Sequence, residues 1–191
     1  YPDVDCVVYN DRPFRMSYAA FNRECDRLAK GMMALGVKKG SHVAIWATNY
    51  PEWILTMFAS AKIGATLVTV NTNYKVFEAE YLLKQSDTDT LVMMHGLKDT
   101  CYVDIINELC PELKDSKPGA LQSSNLPYLK RVIYIDKEED TPAGMLHWSA
   151  LSALGESVSE DALEEAKRAV SCFDVVNMQY TSGTTGFPKG V

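Results

Sequence analysis

Short apolar runs recur along this chain, and a segment with helical periodicity separates each from the next. The run at 43–46 is Val-Ala-Ile-Trp, with no polar residue in alternation. A strand buried on both faces has that pattern. Further runs lie at 66–70, 91–94, 131–135 and 175–180. Strands alternating with helices predict an α/β fold, with a mostly parallel sheet covered by helices on both faces. No internal repeat is visible beyond that alternation. In such folds ligands gather outside the carboxyl ends of the strands.

The helices have readable ends. Ser17 is a good N-cap, and Tyr18, Phe21, Cys25, Leu28, Met32 and Leu35 then recur at intervals of three and four. Gly36 fits the stop position behind them. Pro51 suits the first turn of a second helix, whose residues Trp53, Ile54, Met57, Phe58 and Ala61 are expected to face inward. A third runs near 77–85 with Tyr81 and Leu82 inward. Ile105, Ile106 and Leu109 mark a fourth, closed by Pro111. Residues 115–127 read as a surface loop and 136–140 as a solvated charged turn. A last helix starts at Ser159.

Composition narrows the class. With 47% apolar and 23% charged residues, the chain reads as folded rather than disordered, and its 191 residues suffice for one domain. A formal charge of −6 and the lack of a basic stripe argue against a nucleic-acid partner. Cys6, Cys25, Cys101, Cys110 and Cys172 are odd in number and widely spaced, which argues against structural zinc and a disulfide framework. Free thiols suit a reducing compartment and predict a cytoplasmic protein. His42, His95 and His147 show no metal-ligand spacing and read as core or surface residues. No apolar run approaches the ~18 residues of a membrane span. The start at Tyr1 and the end at Val191 suggest a piece of something longer.

The chemistry concentrates after the last run, in Tyr180-Thr-Ser-Gly-Thr-Thr-Gly-Phe-Pro-Lys-Gly190. Gly183 and Gly186 let the backbone N–H groups approach a ligand closely, and successive N–H groups in such a turn make an anion-binding concavity. Thr181, Ser182, Thr184 and Thr185 offer four hydroxyls within five residues. Lys189 adds a mobile positive charge, and Pro188 stiffens the far end. A P-loop, counted from Gly183, would need Gly at 188 and Ser or Thr at 190; the chain has Pro188 and Gly190. No helix-forming run follows either, and Gly190-Val191 reads as a returning strand. A plain polar hairpin loop is the bland alternative, and the density of hydroxyls, glycines and a lysine argues against it.

This segment resembles the signature loop of the adenylate-forming superfamily, which includes acyl-CoA synthetases, adenylation domains of peptide synthetases and beetle luciferases. The stretch 35–45 is similar to that family's Gly-x-x-x-Gly-Asp-x-Val-Ala segment, with Ser41 where Asp is usual. The stretches 49–53 and 62–71 resemble it too, and Thr72 stands where Pro is common. The likeness covers roughly 17–95 and 175–191.

The resemblance implies a partial N-terminal AMP-binding domain over 1–191, the first part of the large domain of such an enzyme. It implies a two-step reaction in the full-length protein: a carboxylic acid attacks the α-phosphorus of ATP, and coenzyme A then takes the acyl group from the adenylate. Thr181, Ser182, Gly183, Thr184, Thr185, Gly186 and Lys189 would hold the β- and γ-phosphates, with Mg2+ sharing their charge. The family's remaining active parts lie further downstream, so no catalytic residue is expected here and the 191 residues alone are expected to be inactive. The text at 53–74 points towards fatty or other apolar acids. Loading of a carrier protein, and a non-catalytic nucleotide-binding role, stay open as alternatives.

Overall fold

Pairing begins in a stretch without periodic signal: β1 (Asp5–Val8) and β2 (Arg15–Ser17) form an antiparallel hairpin. The computed structural model describes residues 1–181 and 188–191. Ser17 then turns the chain into α1 (Tyr18–Ala34), its Oγ accepting from the Ala20 amide at 3.3 Å as an N-cap does. Gly36, with φ of +87°, follows the helix in the left-handed conformation that suits that stop. The Arg131 guanidinium completes the end: its Nε donates to the Leu35 carbonyl, and Nη1 donates to Asp89 at 3.1 Å and to Thr90 at 3.2 Å. This buried charge is therefore paired and hydrogen-bonded, the condition under which burial is tolerated.

The chain continues through β3 (His42–Trp46), α2 (Pro51–Lys62), β4 (Thr66–Thr69), α3 (Val76–Gln85) and β5 (Thr90–Met93). A small hairpin, β6 (Gly96–Leu97) with β7 (Thr100–Cys101), leads into α4 (Tyr102–Leu109). Then come β8 (Arg131–Tyr134), β9 (Leu146–His147), α5 (Ala150–Gly155), α6 (Glu160–Arg168), β10 (Asn177–Met178), β11 (Tyr180–Thr181) and β12 (Lys189–Gly190). Among the described residues six strands form one wholly parallel sheet in the order β10-β4-β3-β5-β8-β9. The chain moves from β3 to β4 in one direction and returns past β3 to β5 in the other. Right-handed crossovers therefore set α2 and α3 on opposite faces. α1 packs beside α2 and α5, and α4 beside α3.

The core lies against both faces of the middle strands, where every residue of β5 and β8 is buried. Trp46, fully buried, stacks on Tyr102 with centroids 4.0 Å apart and planes 13° apart. Such a pair contributes about 0.5–1.5 kcal/mol beyond area burial. The Tyr102 hydroxyl donates to the Thr72 carbonyl at 2.7 Å, tying the end of β4 to α4.

The helix α2 occupies the expected residues but is rotated. Its buried residues are Pro51, Leu55, Thr56, Ala59 and Ser60, while Phe58 is 44% exposed. Small residues let the helix approach its neighbours closely, and both buried hydroxyls have partners: Thr56 donates to the Glu52 carbonyl one turn back at 2.7 Å, and Ser60 donates to Met32 Sδ of α1 at 3.7 Å. In α3, Leu82 is buried with Ala79 and Leu83, and Tyr81 is half-buried. The expected final strand at 175–180 is split between β10 and β11. Asp136, expected in a solvated turn, is instead half-buried and hydrogen-bonded.

Three helices meet at one carboxylate. Asp26 of α1 accepts from Lys62 of α2 at 2.8 Å and from Lys167 of α6 at 2.7 Å. Burial alone would raise this carboxyl, but the hydrogen bonds from Lys167 and Lys62 outweigh it and hold it below the usual carboxylate range. A folded-state depression gives stability that is present above the unfolded value and lost as pH falls through the folded one. Asp26→Asn is therefore expected to lower stability near pH 7, by about 1 kcal/mol for a partly exposed cluster. The difference should fade as pH drops below about 4. Denaturant titrations of both proteins at pH 7 and pH 3 check this; an equal gap at both values contradicts it.

Candidate functional site

The segment rich in glycine and hydroxyls joins the sheet through its edge strand. β10 pairs with β4 over only two residues, Asn177 with Leu67 and Met178 with Val68. Side chains and flanking backbone lengthen that hold. The Leu67 amide donates to the Val176 carbonyl at 3.0 Å, and Thr66 Oγ1 donates to the Val175 carbonyl at 3.1 Å. At the carboxyl end, Thr69 Oγ1 donates to Gln179 Oε1 at 3.1 Å.

Beyond Gln179 the chain forms a hairpin stem. β11 and β12 run antiparallel, with Tyr180 opposite Gly190 and Thr181 opposite Lys189. The Gln179 amide donates to the Val191 carbonyl at 3.0 Å and the Val191 amide to the Gln179 carbonyl at 2.8 Å. The returning strand expected at Gly190-Val191 is thus β12 and its continuation. Successive side chains on a strand point to opposite sides. Tyr180 is half-buried and packs, with Met178, against the core. Thr181 and Lys189 are exposed. The stem therefore brings a hydroxyl and an ammonium together at the mouth of the loop. Ser182, Gly183, Thr184, Thr185 and Gly186 lie outside the described residues.

The rest of the carboxyl edge is organised by Asp136, just past β8. Its Oδ1 accepts from the Tyr50 hydroxyl at 2.7 Å, and its Oδ2 accepts from the His95 amide. Its carbonyl lies 2.8 Å from His147 Nε2. One aspartate thus ties together the ends of β3, β5, β8 and β9. Tyr50, Met94, His95, Tyr134, Asp136 and Lys137 border a cleft of about 620 Å³ there. Burial, with the Asp136 carboxylate as a further cause, pushes the Tyr50 and Tyr134 phenols up to about 12, so both remain hydrogen-bond donors at neutral pH. Asp136 stands in a run of charges, and a single sequence offers no sign that one of them turns inward. Among the described residues no group of three or more His, Cys, Asp or Glu side chains is arranged to hold a metal ion. The five cysteines are unpaired thiols, and among the described residues no helix is long and apolar enough to cross a membrane.

A doubly wound parallel sheet, with a segment rich in glycine and hydroxyls following its edge strand, is the layout of a ligand-binding α/β domain. The sequence model of the AMP-binding enzyme family matches residues 1–191, and the chain belongs to that family. It is 52% identical over its full length to YngI of Bacillus subtilis (strain 168), a proposed acyl-CoA synthetase, of which it covers 34%. It is 36% identical over 190 residues to the mitochondrial medium-chain acyl-CoA ligase ACSF2 of Danio rerio, covering 31% of that protein. The chain thus spans about a third of the length of these relatives. Among solved structures, the N-terminal domain of FACL13 from Mycobacterium tuberculosis superposes with a TM-score of 0.69 at 25% identity, over the whole of this chain and 40% of that one. The expected fold class, the first part of the N-terminal domain of an adenylate-forming enzyme, agrees with these findings.

Proposed function

We propose that the segment from Thr181 to Lys189 grips the β- and γ-phosphates of ATP. The protein of which this chain is a part would then convert a carboxylic acid to an acyl-adenylate and onward to an acyl-CoA thioester. The observation that carries this reading is the stem pairing of Thr181 with Lys189, exposed side by side beyond the carboxyl end of a parallel sheet. A hydroxyl and an ammonium at that spot suit the oxygens of a polyphosphate leaving group, where negative charge grows as the α-phosphorus is attacked. Ser182, Gly183, Thr184, Thr185 and Gly186 extend the same donor set. The family membership and the acyl-CoA synthetase and ligase relatives support it.

Magnesium, riding on the phosphates, would supply charge neutralisation. No carboxylate of this chain is assigned to it. The medium-chain ligases among the relatives favour a fatty acid as substrate, and the free thiols favour a reducing compartment.

ATP–pyrophosphate exchange by the full-length protein, run with a panel of carboxylic acids, tests the proposal. Exchange with aliphatic acids and formation of the CoA thioester are expected, while residues 1–191 alone should show no turnover. Exchange that passes only to a carrier protein would redirect the second step. Silence across the panel would leave a nucleotide-binding protein without ligase activity.

A further inference from the structure

We infer that Tyr180 is a positioning residue, which sets Thr181 and Lys189 in place by closing its ring over the bare backbone of Gly190. The inference rests on the phosphate-binding reading given above. An isolated two-stranded hairpin is marginal in water. Among the described residues the β11–β12 stem pairs at two positions, extended by the reciprocal Gln179–Val191 hydrogen bonds, and so short a ribbon needs support from outside itself. Tyr180 and Gly190 face each other across it, and Gly190 has no side chain to fill its half of the pair. The phenol ring occupies that space. A Cβ built on Gly190 would stand 3.2 Å from Tyr180 Cζ, 3.3 Å from its Oη and 3.4 Å from Met178 Sδ. An aromatic folded over a cross-strand glycine is a known way to stabilise such a pair.

The ring is fixed from the other side as well. It packs against the core beside Met178. Burial is the main reason that its phenol is held above its ordinary range, with Tyr81, Ser86 and Asp87 among the neighbouring groups that act on it. The pleat then leaves Thr181 and Lys189 on the opposite, exposed side. Without the ring, the stem would keep its sequence but lose the surface that fixes its tilt. Misplacement by an ångström can cost up to about 10²-fold in rate or affinity.

The test uses the full-length protein with Tyr180→Ala, Tyr180→Phe, Gly190→Ala and the double variant Tyr180→Ala/Gly190→Ala. Pyrophosphate exchange is followed against MgATP at saturating acid. Tyr180→Ala is expected to raise KM for ATP about tenfold or more, with KM for the acid unchanged, and Tyr180→Phe to restore it to within about twofold. Gly190→Ala should resemble Tyr180→Ala. The double variant should be no worse than either single one, because the two residues act as a unit. Hydrogen exchange of the amides at 179–181 and 189–191 gives a readout independent of activity: faster in Tyr180→Ala, close to wild type in Tyr180→Phe. Unchanged exchange and unchanged KM in Tyr180→Ala would overturn the inference. Lys189→Ala separates the two levels. If it leaves ATP kinetics unaltered the phosphate-binding reading fails; if it impairs them and Tyr180→Ala does not, only the positioning role fails.

Discussion

Gly31→Ala is expected to lower the thermal midpoint of the protein by roughly 4–8 °C, taking 2–4 °C per kcal/mol for a domain of this size. Gly31 lies inside α1, where helix propensity alone would reward alanine by about 1 kcal/mol. The sign reverses because α1 and α5 touch backbone to backbone at this point. A Cβ on Gly31 would overlap the Leu151 carbonyl oxygen and stand 2.9 Å from Leu151 Cβ. On the other side of the crossing, a Cβ on Gly155 would stand 2.9 Å from the Gly31 nitrogen. No flexible side chain can swing aside, so α5 itself must move. Overpacking of this kind costs about 1–3 kcal/mol, at times more, and here it should exceed the propensity gain by about 2 kcal/mol. Gly155→Ala should behave alike. Differential scanning fluorimetry is sufficient, and an unchanged or raised midpoint for Gly31→Ala would show that the two helices separate freely.

Lys189→Ala, in the full-length protein, is expected to slow adenylate formation by about 10²–10³-fold, or about 2.7–4 kcal/mol, the loss that follows removal of one donor aimed at developing charge. Its fold should be untouched, because Lys189 is exposed on the stem. Lys189→Arg keeps the charge but replaces a compact ammonium with a planar fork, and an intermediate rate is expected. Single-turnover measurement of pyrophosphate release isolates the step. A rate within about twofold of wild type for Lys189→Ala would remove the residue from the phosphate site.

Much of the architecture could be read from residue order. Ser17 and Ser159 cap helices as their side chains suggest, each accepting from the amide three residues on. The runs at 43–46, 66–70, 91–94 and 131–135 became strands of the sheet, and the lack of alternation at 43–46 foretold burial on both faces, whereas the run at 175–180 supplied only a short, partly exposed edge strand. The candidate segment at 181–189 stood out because its residue types, Gly, Ser, Thr and Lys, suit one kind of chemistry whatever surrounds them. Other features were hidden. The inward face of α2 is not legible in the sequence, because Trp53, Ile54, Met57 and Phe58 outweigh Thr56, Ala59 and Ser60 in hydrophobicity, whereas the space available favours the smaller set. β1, β2, β9 and α5 are too short to carry a period, and they form because longer elements offer them a surface.

Local chemistry thus settled where helices start and which segments must be buried, and it marked the segment to test for anion binding, since those depend on properties that each residue carries with it. Which face of α2 turns inward, why Gly31 cannot bear a methyl group, which aspartate ties the strand ends together and what Tyr180 rests on depend on distances between parts of the chain far apart in sequence. These distances exist only once the sheet and its helices have packed, because close packing leaves each neighbour one shape to fit.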